Sequence, residues 1–322
     1  MDHSSITDRR RLRRKLTFWR IATLVAILAV VAGLFFGLGE GETIGGKASP
    51  HIARVTISGV ITDNQELQKR LDTIVKNDNV QAVILRLNSP GGTSYGGEVL
   101  YKSVLKLGET KPVVADVRTL AASAAYMIAC GTDYIVAGDT SIVGSIGVIF
   151  QYAQVQELLD KIGVKVEEIK SAPLKAEPSP FHEASAEAKQ MIDSMITDSY
   201  DWFVTLVSER RKLPMSETRK LADGSIFTGR QAADNGLIDI VGGEEDIRKY
   251  LAEQDIDDTL DIIDWEPRKS RTELILGDAM AKIFNAFGQN SFPFAEELKA
   301  LADRKLFLDG LVSVWHFGEA DK

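Results

Sequence analysis

Two side chains stand where the surrounding sequence sets them apart for chemistry. Ser123 sits among five alanines in Thr119-Leu-Ala-Ala-Ser-Ala-Ala-Tyr-Met-Ile-Ala129, directly after the β-type run Pro112–Arg118. Small neighbours let backbone and substrate approach a hydroxyl closely. A serine at a helix N-terminus serves as a nucleophile, and equally as a packing residue in a tight crossing. Lys175 lies between Pro173 and Pro178, in a segment whose three prolines forbid helix. A lysine acts as a base only when neutral, and burial lowers its pKa by up to about 3–5 units. Most lysines are instead solvated surface residues. The third feature is Ser89-Pro-Gly-Gly92. Its glycine amides suit an anion or a developing oxyanion, and a plain strand-to-helix turn has the same composition.

The remaining inventory narrows the chemistry. The four histidines are His3, His51, His182 and His316, and His182 alone lies near the proline-rich segment. No His/Cys/Asp/Glu group has metal-ligand spacing, and no Walker or dinucleotide loop is present. The single cysteine, Cys130, excludes an intramolecular disulfide. Net charge is −8, although residues 1–36 hold seven basic against two acidic residues. The body is therefore acidic, which argues against nucleic acid as a partner.

Alternating strands and helices must position these groups. Strands are expected over 51–61, 80–88, 112–118, 134–138 and 165–170. Helices are expected over 64–76, 95–107, 121–130, 154–162 and 185–213, the last with Met191, Met195, Phe203, Leu206 and Val207 on its apolar face. Within 226–239 the pattern reads as a turn, a short helix closed by Gly236 and the start of a strand. This alternation predicts an α/β fold with a mainly parallel sheet. Residues 274–287 and 294–306 read as amphipathic helices of a packing or oligomer-contact tail. At the other end, 19 consecutive uncharged residues, Ile21–Gly39, follow the basic cluster. That length matches the roughly 20 residues of a membrane-spanning helix. The expected layout is a cytoplasmic basic segment 1–20, an uncleaved anchor 21–39, a linker 40–50, a catalytic domain 51–250 and a C-terminal extension 251–322.

Five segments, in order and spacing, resemble the signal peptide peptidase A family. They are Leu87–Gly92, Leu120–Ala129, Gly144-Ser-Ile-Gly-Val148, Ile169-Lys-Ser-Ala-Pro-Leu-Lys175 and Phe227–Ala232 with Gly236–Asp239. The resemblance covers residues 50–245, together with the anchor in type and position. It implies a membrane-anchored serine protease of the short, single-unit form, with the repeated ββα superhelix of the Clp protease and the crotonases, and no cofactor. Carried over, Ser123 matches the nucleophile and Lys175 the general base, while Ser145 matches a hydroxyl that orients the lysine. An amide of Gly91 or Gly92, with that of Ala124, matches the oxyanion hole. The implied partners are extended apolar peptides such as remnant signal peptides, the membrane, and further copies in a homo-octamer whose sites form across subunit boundaries. The implied location is a bacterial inner membrane, single-pass, N-terminus in the cytoplasm and catalytic domain on the periplasmic side. The family usually has Gly-Gly after the serine, where this chain has Ala124-Ala125. The backbone donor survives that change, and the added methyl groups are expected to narrow the pocket. A crotonase-type acyl-CoA enzyme shares the implied fold, but needs no anchor and has no matching carboxylates here. The Ala-Ala departure also motivates a non-catalytic membrane scaffold.

Overall fold

The computed structural model describes residues 48–266 and 312–314, with residues 15, 18–23 and 25 near the N-terminus. Most of the expected anchor 21–39 and both helices expected beyond residue 270 lie outside the described residues. Among the described residues, no helix is long and apolar enough to cross a membrane. The chain divides into two units, Met1–Gly46 with Arg268–Ser291, and Lys47–Pro267 with Phe292–Lys322. The second holds the sheet.

The elements run β1 (His51–Ser58), α1 (Gln65–Val75), β2 (Val80–Ser89), β3 (Gly91–Thr93), α2 (Ser94–Gly108), β4 (Val113–Ala122), α3 (Ala124–Ala129), β5 (Tyr134–Ala137) and β6 (Ile142–Gly144). Then follow α4 (Gln156–Lys161), α5 (Ala186–Arg211), α6 (Met215–Leu221), β7 (Ile226–Thr228), α7 (Gly229–Asp234), β8 (Ile240–Val241), α8 (Glu244–Glu253), β9 (Ile262–Asp264) and β10 (Val312–Val314). Eight strands form one sheet in the order β7-β6-β4-β2-β1-β9, with β5 pairing β4 and β8. Every pair in it is parallel except β6–β7. A parallel sheet buries both faces, and the two-residue period of β2 divides the core accordingly. Val83, Leu85 and Leu87 face the cluster shared with α1, α2, α3 and α5, while Ala82 and Ile84 face Ile247 and Leu251 of α8.

β4 is the strand that matters for the site. Its first half pairs with β5 and its end, Leu120–Ala122, with β6. Alanine favours helix, and a helix over 121–130 was the expectation. The strand instead continues through Ala122, because Ala121 and Ala122 pair with Val143 and Gly144 and are fully buried. Tertiary pairing overrides propensity here, and the junction moves onto Ser123. The strand expected over 165–170 is absent: 164–170 is irregular, and Ile169 is fully exposed. The segment finds no partner strand among the described residues. The glycine turn also differs from expectation. Gly91–Thr93 is a short strand, bridged to Ile61 on one side and paired antiparallel with β10 on the other. The long helix packs by its C-terminal half, through Phe203, Val204, Leu206 and Val207, while Met195 is exposed. The expected domain end at 250 falls inside α8, and β9 extends the sheet to Asp264.

Side-chain bonds fix α3 against its surroundings. Tyr126 donates from its hydroxyl to the Leu237 carbonyl at 2.7 Å. Arg210 of α5 donates to the carbonyls of Cys130 and Thr132 at 2.7 and 3.0 Å, satisfying the C-terminal end of α3. Helix α2 approaches so closely that a Cβ on Gly97 would lie 2.9 Å from Ala124 Cβ and 3.3 Å from Met127 Sδ. Substituting Gly97→Val therefore forces α2 and α3 apart. The expected cost is about 1–3 kcal/mol, read as a lower urea midpoint at unchanged slope.

Candidate active site

Ser123 caps the N-terminus of α3 with φ 57° and ψ −120°. A non-glycine residue in that region costs on the order of 1–3 kcal/mol and persists only where its surroundings enforce it. Two backbone bonds do so: Ser123 N–H donates to the Gly144 carbonyl at 2.8 Å, and Met127 N–H donates to the Ser123 carbonyl at 2.9 Å. The chain thus turns sharply from strand into helix with the serine at the corner. The same device exposes the nucleophile in α/β hydrolases.

Ser123 is only 1% exposed, yet it lines a cavity of about 440 Å³. Ser145 lines it too, with walls from Ile146, Val148, Ile149, Ile196 and Tyr200. Ser145 is itself held at φ 50°, its N–H donating to the Ser225 carbonyl at 2.7 Å. Asp223, at the same cavity, accepts from the Ser225 N–H at 2.9 Å, and bonds from Ser225 hold its carboxyl below the usual carboxylate range. Tyr200 is fixed by its hydroxyl donating to the Ala222 carbonyl at 2.9 Å.

β3 packs against α3, which brings the glycine strand alongside the Ser123 corner. Gly91 N–H donates to Ser89 Oγ at 3.1 Å. Ile61 N–H donates to the Gly91 carbonyl and Thr93 N–H to the Ile61 carbonyl, so both neighbours of Gly92 turn towards Ile61. Successive strand residues point their backbone groups to opposite edges, so Gly92 turns its N–H and carbonyl towards β10, where Ser313 stands opposite. A Cβ on Gly92 would lie 1.8 Å from the Ile61 carbonyl oxygen, so the close approach requires glycine. The N–H of Ala124 opens α3, where first-turn amides have no acceptor within the helix. The expected narrowing of the pocket by Ala124 and Ala125 is not what the geometry gives. Both are fully buried, neither is among the residues lining the cavity, and the Ala124 methyl group points at Gly97.

Lys175 lies elsewhere. It is exposed and is not among the residues lining the Ser123 cavity. Its N–H donates to the Ala172 carbonyl at 3.1 Å, and the next residue, Ala176, has φ 61°. A group of charges that the sequence did not single out closes the base of this loop. Lys170 Nζ lies 2.5 Å from Glu168 Oε2 and 2.6 Å from Glu177 Oε1, and His182 Nε2 lies 3.2 Å from Glu177. Hydrogen bonds to Glu168 and then Glu177 raise the Lys170 pKa, and Lys170 holds both carboxyls below their ordinary range. His182 is thus a member of this group. His51 is also accounted for, buried and accepting at Nε2 from Trp265 Nε1–H at 3.1 Å. Cys130 is buried and its thiol is pushed up to about 12 by desolvation, which rules it out as a ready nucleophile.

Comparison with known proteins bears on what these groups are. The model of peptidase family S49 matches residues 106–256, which include Ser123, Ser145 and the whole Lys175 loop. A protein of Methanocaldococcus jannaschii, provisionally named a protease, is 44% identical over 181 residues, covering 56% of this chain and 58% of its own length. A Synechocystis protein, also provisionally named a protease, is 37% identical over 203 residues, covering 62% of this chain and 73% of its own length. An Enterococcus faecium protein, provisionally named signal peptide peptidase SppA, is 34% identical over 238 residues, covering 69% of each. On these matches the chain belongs to peptidase family S49, the serine-type peptidases of the signal peptide peptidase A and protease 4 kind.

Proposed function

We propose that this chain is a membrane-anchored serine endopeptidase that cleaves extended, apolar peptides through a Ser123–Lys175 dyad. The observation that carries this reading is the strained corner at Ser123, which lines a cavity walled by Ile146, Val148 and Ile149 together with Ser145, Tyr200 and Asp223. Neutral Lys175 takes the proton from Ser123 Oγ as that oxygen attacks the peptide carbonyl carbon. Ser145 orients the lysine amine. The N–H groups of Gly92 and Ala124 hold the oxyanion, where losing one such donor typically costs about 10²–10³ in rate. Collapse of the tetrahedral species breaks the C–N bond, with the lysine proton passing to the leaving amine. Water, deprotonated by the same lysine, then hydrolyses the acyl-enzyme.

The exposure of Lys175 supports a dyad completed by a second copy. The segment from 149 to 181 leaves Ile149, Leu158, Ile162, Val164 and Ile169 exposed, and α4 has no buried residue. So apolar an exposed stretch marks an interface. A neighbouring subunit seated there would shield Lys175 from water, and loss of water favours the neutral amine. We take the assembly to be a ring of eight with the superhelical Clp-like subunit. Ile21–Gly39 would anchor each copy in a bacterial inner membrane, with the body on the periplasmic side. Remnant signal peptides, released in that membrane, would set apolar side chains against Ile146, Val148, Ile149 and Ile196. The β3 edge accepts an extended strand, since β10 pairs there antiparallel.

Ser123→Ala and Lys175→Ala should each lower cleavage of a signal-peptide-like substrate by on the order of 10³-fold or more. Retained activity in either variant would sink the dyad. Co-assembling the two inactive variants should restore about a quarter of wild-type activity, the statistical share of sites with an intact serine beside an intact lysine. No restoration would place both groups in one subunit. A serine-directed reagent should label the native protein at Ser123, while thiol reagents should reach Cys130 only after unfolding. Removing residues 312–322 should lower KM several-fold, because β10 competes for the edge a substrate would use; an unchanged KM would put the substrate elsewhere.

A further inference from the structure

We propose that Lys170 and Glu177 are positioning residues for Lys175, closing by their ion pair the loop that presents it; this rests on the reading of Lys175 as the general base. Six residues separate the pair, and Lys175 lies between them, two positions before Glu177. The Glu177 side chain is 6% exposed and that of Lys170 is 18% exposed, although the loop they close is largely exposed. The pair is not isolated. Glu177 Oε2 accepts from the Ser179 N–H at 3.1 Å, and Glu168 Oε1 accepts from Ser179 Oγ at 3.0 Å. Ser179 is buried, and next to it the Pro180 carbonyl accepts from the Val155 N–H at 2.8 Å, tying the loop to the entry of α4. These contacts fix both ends of 170–177.

The loop needs such a hold. Within it, backbone bonds run from Lys175 N–H to the Ala172 carbonyl and from Glu177 N–H to the Leu174 carbonyl, the second at a long 3.4 Å. Ala176 sits at φ 61°, a conformation that an alanine adopts only under constraint. With Lys170 removed, Glu168 and Glu177 would repel across the base of the loop and Ala176 would be free to relax. The lysine amine would then lose its fixed approach to the serine. The donor atoms of Glu168, Glu177 and His182 lie within 4.8 Å of one another, a spacing that would suit a metal ion. Lys170 Nζ already lies between the two carboxylates, so the cationic position is filled by the chain itself.

The test uses the full-length enzyme, with kcat and KM for one peptide substrate measured beside assembly size and thermal unfolding. Lys170→Met and Glu177→Gln should each lower kcat by about 10- to 100-fold, the usual penalty for a misplaced catalytic group, with KM changed less than about twofold. Lys170→Arg, which keeps the charge, should hold kcat within about threefold, and the double variant Lys170→Met/Glu177→Gln should be no slower than the worse single one. Unfolding should match the wild type, since the loop lies outside the core, and assembly should too, since the exposed apolar side chains Ile149, Leu158, Ile162, Val164 and Ile169 are unchanged. Wild-type kcat in both single variants, while Lys175→Ala is inactive, would overturn the positioning role and leave the base intact. A kcat loss that Lys170→Arg shares, or that comes with a broken assembly, would also overturn it. Full activity in Lys175→Ala would instead overturn the reading on which it rests.

Discussion

The backbone of Ser123 is the constraint on which the site depends. Among the described residues, five non-glycine positions have positive φ: Ser123, Ser145, Ala176, Lys212 and Asp255. Lys212 caps the C-terminus of α5 in the left-handed conformation, an ordinary place for it. Asp255 likewise follows the end of α8. The other three are the candidate nucleophile, the candidate orienting hydroxyl and the residue after the candidate base. Strain of this kind persists only where packing over-determines it. At Ser123 the enforcement is plain: β4 is locked between β2 and β6 up to Ala122, and α3 is bound by Tyr126 and Arg210. The corner is what remains when strand and helix are each fixed separately.

The two halves of the proposed site differ in how they are held. Ser123, Ala124 and Gly92 belong to the buried core, where backbone pairing and close packing set their places. Lys175 rides on a loop held by charges and short polar bonds, with almost no apolar burial. A nucleophile gains from rigidity, because a shift of about 1 Å costs roughly 100-fold in rate. A lysine base needs that rigidity and a dry environment as well. On the proposed reading, the loop provides the first through the Lys170–Glu177 ion pair. The apolar residues exposed around it are the means to the second, once another surface covers them.

Much of this was legible in the sequence, for identifiable reasons. Strands β1, β2, β4 and β5 showed as β-branched runs because they are buried on both faces. Ser123, Ser145 and Lys175 stood out through motifs that follow one another at fixed spacing. What was not legible depended on partners far along the chain. The alanines before Ser123 read as helix, since nothing local reveals that β6 will pair with them. Residues 165–170 read as strand, since nothing local reveals that none of the described strands receives them. Lys170, Glu168 and Glu177 were not singled out, and only the folded loop shows them converging. The pairing of 312–314 with 91–93 spans more than 200 residues and left no local signal.

The Ala124-Ala125 pair shows how a departure from a family pattern is absorbed. A methyl group after the nucleophile would obstruct the site if it faced the substrate. It faces α2 instead, and there the opposing residue is Gly97, with no side chain to displace. Small size is thus needed at the α2–α3 crossing as a whole, and it is supplied from the other helix. The amide of Ala124 remains at the opening of α3, available to the proposed oxyanion hole, because an amide is common to every residue but proline. The substitution therefore acts on the closeness of two helices and leaves the chemistry of the corner alone. A non-catalytic reading of this chain loses its motive at that point, since the Ala124 methyl group meets Gly97 and neither alanine lines the cavity.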